Sequence, residues 1–210
     1  MTDSLDPVSA AIVESGIVAI LRAPSAGGFS AVADVLVAAG ITAIEVTLTS
    51  AGALEAISGL RRRLPSGTVI GAGTILTADD AKAAVDAGAS FLVSPVLDTL
   101  AGQTVPCYPG AYTPTEVYSA YRAGAPLVKL FPAGGLKPAY LKDLRGPLPQ
   151  VRILPTGGIA LDDIADWLDA GAAAVGLGGP LVGDAASGGS LTALSARAKR
   201  AVDAVTYARS

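Results

Sequence analysis

The sequence predicts an α/β fold of the (β/α)₈ barrel class, with a short helix ahead of the first strand. Eight apolar, β-rich runs alternate with helical segments along the 210 residues. Strict alternation at spacings of roughly twenty-odd residues is the pattern of a parallel sheet, and eight units suit closure into a barrel. Ala-Gly followed by Ala or Ile recurs where helices end, at Ala39-Gly40-Ile41, Ala87-Gly88-Ala89, Ala123-Gly124-Ala125 and Ala170-Gly171-Ala172. That reads as one helix-to-strand turn used four times on the face away from the site. No linker or low-complexity stretch divides the chain, so residues 1–210 are expected to form a single domain. A doubly wound open sheet would need a glycine fingerprint after the first strand, and Pro24-Ser25-Ala26-Gly27-Gly28 does not match one.

The elements follow in order. Leu5 to Ser15 reads as the leading helix, with Asp6 and Pro7 suiting its start. Ile17 to Leu21 is the first strand and Phe29 to Ala39 the helix after it. Thr42 to Leu48 is the second strand; Ala51 to Arg63 is a helix ending in three cations, which suit the negative end of its dipole. Thr68 to Ala72 is strand three, and Thr77 caps a helix reaching Ala87. Ser90 to Val93 is strand four, with a short helix expected near Asp98 to Ala101, and Val105 to Tyr108 is strand five. Thr113-Pro114-Thr115-Glu116 is a capping box opening the next helix. Leu127 to Phe131, stopped by Pro132, is strand six, and Pro138 to Leu144 its helix. Val151 to Leu154, Leu161 to Ala170, Ala173 to Leu177, a glycine-rich loop and Leu191 to Tyr207 complete the chain.

Composition excludes several functions. Residues are 51% hydrophobic and 16% charged with a net charge of −3, enough for a large core and without a basic patch for nucleic acid. No apolar run approaches the roughly 18 residues of a membrane span, and the N-terminus lacks a secretory signal, so a cytoplasmic protein is expected. Cys107 is the single cysteine; it forms no intramolecular disulfide and is expected to be a core thiol. Histidine is absent. Ser-His-Asp and Cys-His catalysis are therefore ruled out, and acid/base work falls to carboxylates, Lys, Tyr or water.

Candidate site residues gather at the C-terminal strand ends, where barrels of this type carry their sites. Strand six places Lys129 in the middle of an apolar run. A desolvated amine attacks carbonyls, so Lys129 reads as a Schiff-base lysine or, on an edge, as a lysine whose head reaches solvent. Strand two carries Glu45, Thr47 and Thr49 on one face and Ile44, Val46 and Leu48 on the other. The apolar face suits the helix layer, which turns Glu45 inward; parity does the same for Lys129. The two form either a catalytic pair or a buried ion pair, the latter a weak device for stability. Arg22 at the end of strand one is a fork for a carboxylate or a rim salt bridge. Gly157-Gly158 and Gly178-Gly179 follow strands seven and eight, where bare N–H groups and a helix N-terminus make a phosphate site.

These residues, with Val18-Ala19-Ile20-Leu21-Arg22, Ile44-Glu45-Val46-Thr47-Leu48-Thr49, Gly71-Ala72-Gly73-Thr74, Ser94-Pro95, Val128-Lys129-Leu130-Phe131-Pro132 and Pro155-Thr156-Gly157-Gly158-Ile159, give a chain that resembles the 2-keto-3-deoxy-6-phosphogluconate (KDPG) and 4-hydroxy-2-oxoglutarate (KHG) aldolases. The resemblance spans nearly the whole chain. It implies a class I aldolase in which Lys129 forms the imine and Glu45 moves protons. It further implies Arg22, Thr49 and Thr74 at the pyruvyl carboxylate, Pro95 and Phe131 as pocket walls, and Gly157, Gly158, Gly178 and Gly179 at the far end of a 2-keto-3-deoxy sugar acid. No metal or organic cofactor is implied, and a homotrimer is. Some members carry arginine where this chain has Thr49, which shifts carboxylate binding towards Arg22. The serine expected after Gly178 is Gly179, followed by Pro180. A phosphate-binding barrel isomerase with Glu45 as base, and a non-catalytic oligomeric barrel, remain the rival readings.

Overall fold

In the computed structural model, which describes residues 5–97 and 102–210, all pairing between the strands is parallel. The strands are β1 Ile17–Leu21, β2 Ala43–Thr47, β3 Val69–Gly73, β4 Leu92–Val93, β5 Cys107–Tyr108, β6 Gly110–Ala111, β7 Val128–Leu130, β8 Ile153–Pro155 and β9 Val175–Leu177. One sheet runs β5-β4-β3-β2-β1-β9 and the other β6-β7-β8. Together with the helices they make a parallel α/β fold whose strands curl into a half-barrel. The helices are α1 Pro7–Ser15, α2 Phe29–Ala38, α3 Ala53–Arg63, α4 Ala78–Asp86, α5 Pro114–Arg122, α6 Pro138–Arg145, α7 Ile164–Asp169, α8 Gly179–Val182 and α9 Leu191–Ala208.

Alternation along the strands sorts the core into two layers. Ile17, Ala19 and Leu21 of β1, Ile44 and Val46 of β2, and Val128 and Leu130 of β7 face the helices. Val18, Ala43, Phe91, Val93, Tyr108, Leu127, Leu154 and Ala174 face inward and pack with Ile12 of α1. Leading helix and strand ends thus close the N-terminal end of the interior with apolar side chains, each worth roughly 1.5–3 kcal/mol on full burial. The Ser9 and Tyr108 hydroxyls meet at 2.9 Å in that plug. Burial pushes the Tyr108 hydroxyl pKa up, and the Ser9 bond opposes the shift only partly.

Local chemistry accounts for the element ends. Asp6 accepts from the Val8 and Ser9 N–H groups and Pro7 opens α1. Thr77 with Asp80, and Thr113 with Glu116, form reciprocal capping boxes. The expected strand five, Val105 to Tyr108, is shortened to β5 Cys107–Tyr108, and an unexpected strand β6 follows at Gly110–Ala111 beyond Pro109, which has no N–H to give to a ladder. Its carbonyl still accepts from the Lys129 N–H at 3.0 Å. The loop expected after strand eight holds the short helix α8, and the helix expected from Leu161 opens as a 3₁₀ turn over Leu161–Asp163. The helix expected near Asp98 to Ala101 lies outside the described residues. Cys107 is half-buried rather than fully in the core; burial still pushes its thiol up to about 11. Among the described residues no helix is long and apolar enough to cross a membrane.

The four Ala-Gly turns share one geometry. Gly40, Gly88, Gly124 and Gly171 have φ of 96°, 97°, 94° and 96°. At each, the next residue's N–H reaches back to the helix, as in Ala125 to the Ala120 carbonyl at 3.2 Å. This is the left-handed closure that glycine adopts without Cβ strain. At Gly124 a Cβ would touch nothing, so backbone strain alone is at stake. Gly124→Ala should cost about 1–2 kcal/mol in urea unfolding; an unchanged midpoint would contradict this account of the turn.

Candidate active site

Register and parity bring Glu45 and Lys129 into one enclosed space from different sheets. Lys129 lies between Gly110 of β6 and Leu154 of β8, so one flank has no side chain at all. Glu45 lies between Ile20 of β1 and Gly71 of β3. Both are buried, at 2% exposure for Glu45 and 5% for Lys129. A Cβ on Gly73 would overlap the Glu45 carboxylate, so the glycine at that position makes room for it. Among the described residues neither the Glu45 carboxylate nor the Lys129 amine has a hydrogen bond or salt bridge. The amine sits 4.9 Å from the centre of the Phe131 ring.

An unpaired carboxyl in such a place resists ionisation. Burial raises the Glu45 pKa above its ordinary 4.5, and the fields of Lys129 and then Arg22 draw it back only in part. Glu45 can therefore hold a proton under conditions where a surface glutamate is ionised. A proton donor and acceptor beside an enclosed amine is the equipment needed to make and hydrolyse an imine.

Around this pair lies a polar rim. Arg22 follows β1, exposed, with Nη1 donating to Thr49 Oγ1 at 3.4 Å and Nη2 to Thr74 Oγ1 at 3.1 Å. Thr49 belongs to the turn beyond β2 rather than to the strand, a correction to the parity expectation for that residue. Thr74 has φ of 62°, the one non-glycine positive φ among the described residues. A β-branched residue there carries local strain, on the order of 1–3 kcal/mol. Pro95 and Phe131 are both half-buried, and Phe131 packs where a Cβ on Gly157 would come within 2.9 Å of its ring. Gly157 and Gly158 have φ of 89° and 79°. A parallel bridge between Thr156 and Gly176 sets the two glycine loops beside each other. Gly179 is the first residue of α8, and Pro180 after it has no N–H.

Sequence reasoning thus located the ionisable pair and its surroundings. It missed Ser50, which accepts from the Ala23 N–H at 3.2 Å, and the roles of Thr47 and Gly73. Those depend on cross-strand register, which no local pattern reveals. Hollows of about 510 and 720 Å³ occur elsewhere on the surface; Lys129 and Glu45 line neither. Among the described residues no group of three or more Cys, Asp or Glu side chains could hold a metal ion.

An enclosed amine, an adjacent carboxyl, an arginine fork and paired glycine loops on parallel strand ends are groups suited to carbonyl chemistry on an acidic substrate. The chain belongs to the KDPG and KHG aldolase family, whose model matches residues 8–192. It is 44% identical over 144 residues to the 2-dehydro-3-deoxy-phosphogluconate aldolase of Pseudomonas aeruginosa, a match covering 65% of this chain and 64% of that one. It is 32% identical over 207 residues to a probable 2-dehydro-3-deoxy-6-phosphogalactonate aldolase of Rhizobium meliloti, covering 96% and 98% of the two chains. Among solved structures it resembles KDPG aldolase from Legionella pneumophila with pyruvate captured at low pH as a covalent carbinolamine intermediate. That match has a TM-score of 0.82 and 28% identity, covering 92% of this chain and 97% of that one.

The Glu45 shift has a stability consequence with a definite sign. A carboxyl whose folded pKa lies above its ordinary 4.5 stabilises the fold fully below that value and loses the contribution as pH rises through the folded pKa. Glu45→Gln removes the titration. The melting temperature of the variant minus that of the wild type should therefore increase from acid to neutral pH. A difference that is flat or falls would contradict the burial argument.

Proposed function

We propose that this chain is a class I aldolase that cleaves 2-keto-3-deoxy-6-phosphogluconate, its galactonate epimer or 4-hydroxy-2-oxoglutarate to pyruvate and an aldehyde. For the phosphorylated substrates the aldehyde is glyceraldehyde 3-phosphate. The enclosed placement of Lys129 beside an unpaired Glu45 carries the reading. The names of the Pseudomonas and Rhizobium relatives, and the carbinolamine in the Legionella relative, support it.

The chemistry follows from the geometry. The Lys129 amine adds to the C2 carbonyl to give a carbinolamine. Glu45 in its acid form gives a proton to the departing hydroxyl, water leaves, and a protonated imine forms. The Glu45 carboxylate then takes the C4 hydroxyl proton. The C3–C4 bonding pair moves towards the imine nitrogen, releasing the aldehyde and leaving an enamine. Proton return to C3 and addition of water to the imine release pyruvate and restore the amine. Burial favours the acid form of Glu45 and Lys129 the ionised form, so the carboxyl is poised between its two tasks.

The rest of the site reads outward from that centre. Arg22, with Thr49 and Thr74 bonded to its two arms, takes the pyruvyl carboxylate; Phe131 and Pro95 wall the pocket. Gly157, Gly158, Gly178 and Gly179 face the far end of the substrate. The strands form a closed (β/α)₈ barrel in a single domain over the whole chain. The Thr156–Gly176 bridge and the continuation of β5 into β6 past Pro109 support that closure. The chain assembles as a homotrimer, and exposed Leu76, Val96 and Leu97 in the loops after β3 and β4 supply apolar surface for contact between copies. A lone cysteine and a phosphorylated substrate fit a cytoplasmic setting.

Borohydride reduction in the presence of pyruvate tests the proposal. Wild-type protein should gain the mass of one reduced pyruvyl group at Lys129, and Lys129→Ala should gain none and lose cleavage while staying folded. An isomerase or a scaffold predicts no adduct on the wild type. Gly179 tests the far end, since a Cβ there meets no atom within 4 Å and the residue has no positive φ. Gly179→Ser should lower KM for phosphorylated substrates by about two- to tenfold through one added donor. An equal change for 4-hydroxy-2-oxoglutarate would place the phosphate elsewhere.

A further inference from the structure

The hydroxyls beneath Arg22 form a directed chain. Thr47 is fully buried, and its hydroxyl donates to the Leu21 carbonyl at 3.1 Å. Its oxygen accepts from the Thr49 hydroxyl at 3.2 Å. The Thr49 oxygen in turn accepts from Arg22 Nη1 at 3.4 Å. Ser50, 2% exposed, accepts from the Ala23 N–H at 3.2 Å and lies 3.5 Å from the Thr47 oxygen. One turn therefore holds the peptide group before Arg22, the peptide group after it and one arm of the guanidinium.

Donor bookkeeping separates the two threonines that touch Arg22. A hydroxyl has a single proton. The Thr49 proton is directed to Thr47, so Thr49 has none to offer a substrate anion. The Thr74 oxygen accepts from Arg22 Nη2 at 3.1 Å, and its own proton is directed to no protein acceptor among the described residues. Arg22 keeps three of its five N–H donors after these two bonds.

We propose that the turn Thr47-Leu48-Thr49-Ser50 is a mount for Arg22, in which Thr47 and Thr49 are positioning residues and the substrate carboxylate is met by Arg22 and Thr74 alone. The inference rests on the aldolase reading and assigns Thr49 a part distinct from direct binding. Fixing the fork in advance spares the binding step the ordering of a long side chain, and a small tilt of a bidentate donor loses both bonds at once.

Borohydride-trapping rates with pyruvate and with pyruvamide, its uncharged amide, provide the test. Their ratio reports recognition of the carboxylate and cancels losses common to both ketones. Thr47→Val should lower the pyruvate-to-pyruvamide ratio about tenfold, the scale of one bond to a charged group, and Thr47→Ser should keep it. Thr49→Ala, in the exposed turn, should also lower the ratio, but should lower it no further in an Arg22→Ala background. A direct ligand would still cost binding there, so a further drop overturns the mount. An unchanged ratio in Thr47→Val and Thr49→Ala overturns it too, with the aldolase reading intact. A wild-type protein that traps neither ketone overturns the aldolase reading and the mount together.

Discussion

An uncompensated carboxyl held beside an enclosed amine is the constraint on which the rest of this molecule depends. Glu45 would ionise readily in water. Here burial opposes ionisation, and the fields of Lys129 and Arg22 oppose burial in turn. A direct ion pair would satisfy both charges and remove their reactivity. The fold instead sets them on different sheets, and Gly73 leaves room for the Glu45 carboxylate. Burial of this kind does not favour stability. It is sustained by the apolar plug below, where Ile12 of α1 and the first inward residues of the strands pack together.

The interior thus has two zones along one axis. Towards the strand N-termini it is filled with Val, Ala, Leu, Phe and Tyr side chains. One inward step further along β2 and β7 come Glu45 and Lys129, and a further step brings Thr47 and Phe131. Core and site share the same strands, so residues that settle the fold also settle where the amine points. The rim is built differently, from turns beyond the strand ends. Arg22 and Thr49 are held there by hydroxyl groups from β2 and its turn, which adjust orientation without filling volume.

Much of this was legible in the sequence for identifiable physical reasons. Period-two alternation around Glu45 and Lys129 gave their direction, because a strand has only two faces. The capping boxes at Thr77 and Thr113, and the four Ala-Gly closures, are local chemistry and appear where the sequence puts them. What was hidden depends on register or on breaks in a strand. A further strand β6 follows Pro109, Thr49 falls past the end of β2, and Gly73 proves to be the residue that admits the Glu45 carboxylate. None of these is encoded within a short window.

The central claim is that Lys129 and Glu45 act on one bound keto acid as amine and proton carrier. It is tested most directly by exchange of the pyruvate methyl protons in heavy water, followed by proton NMR without any aldehyde present. Exchange requires an imine to acidify the methyl group and a base to remove its proton. Wild-type protein should exchange all three protons, Lys129→Ala none, and Glu45→Gln only slowly, by roughly 10²–10⁴-fold less. Exchange that persists in Lys129→Ala, or that is unaffected in Glu45→Gln, would contradict the account.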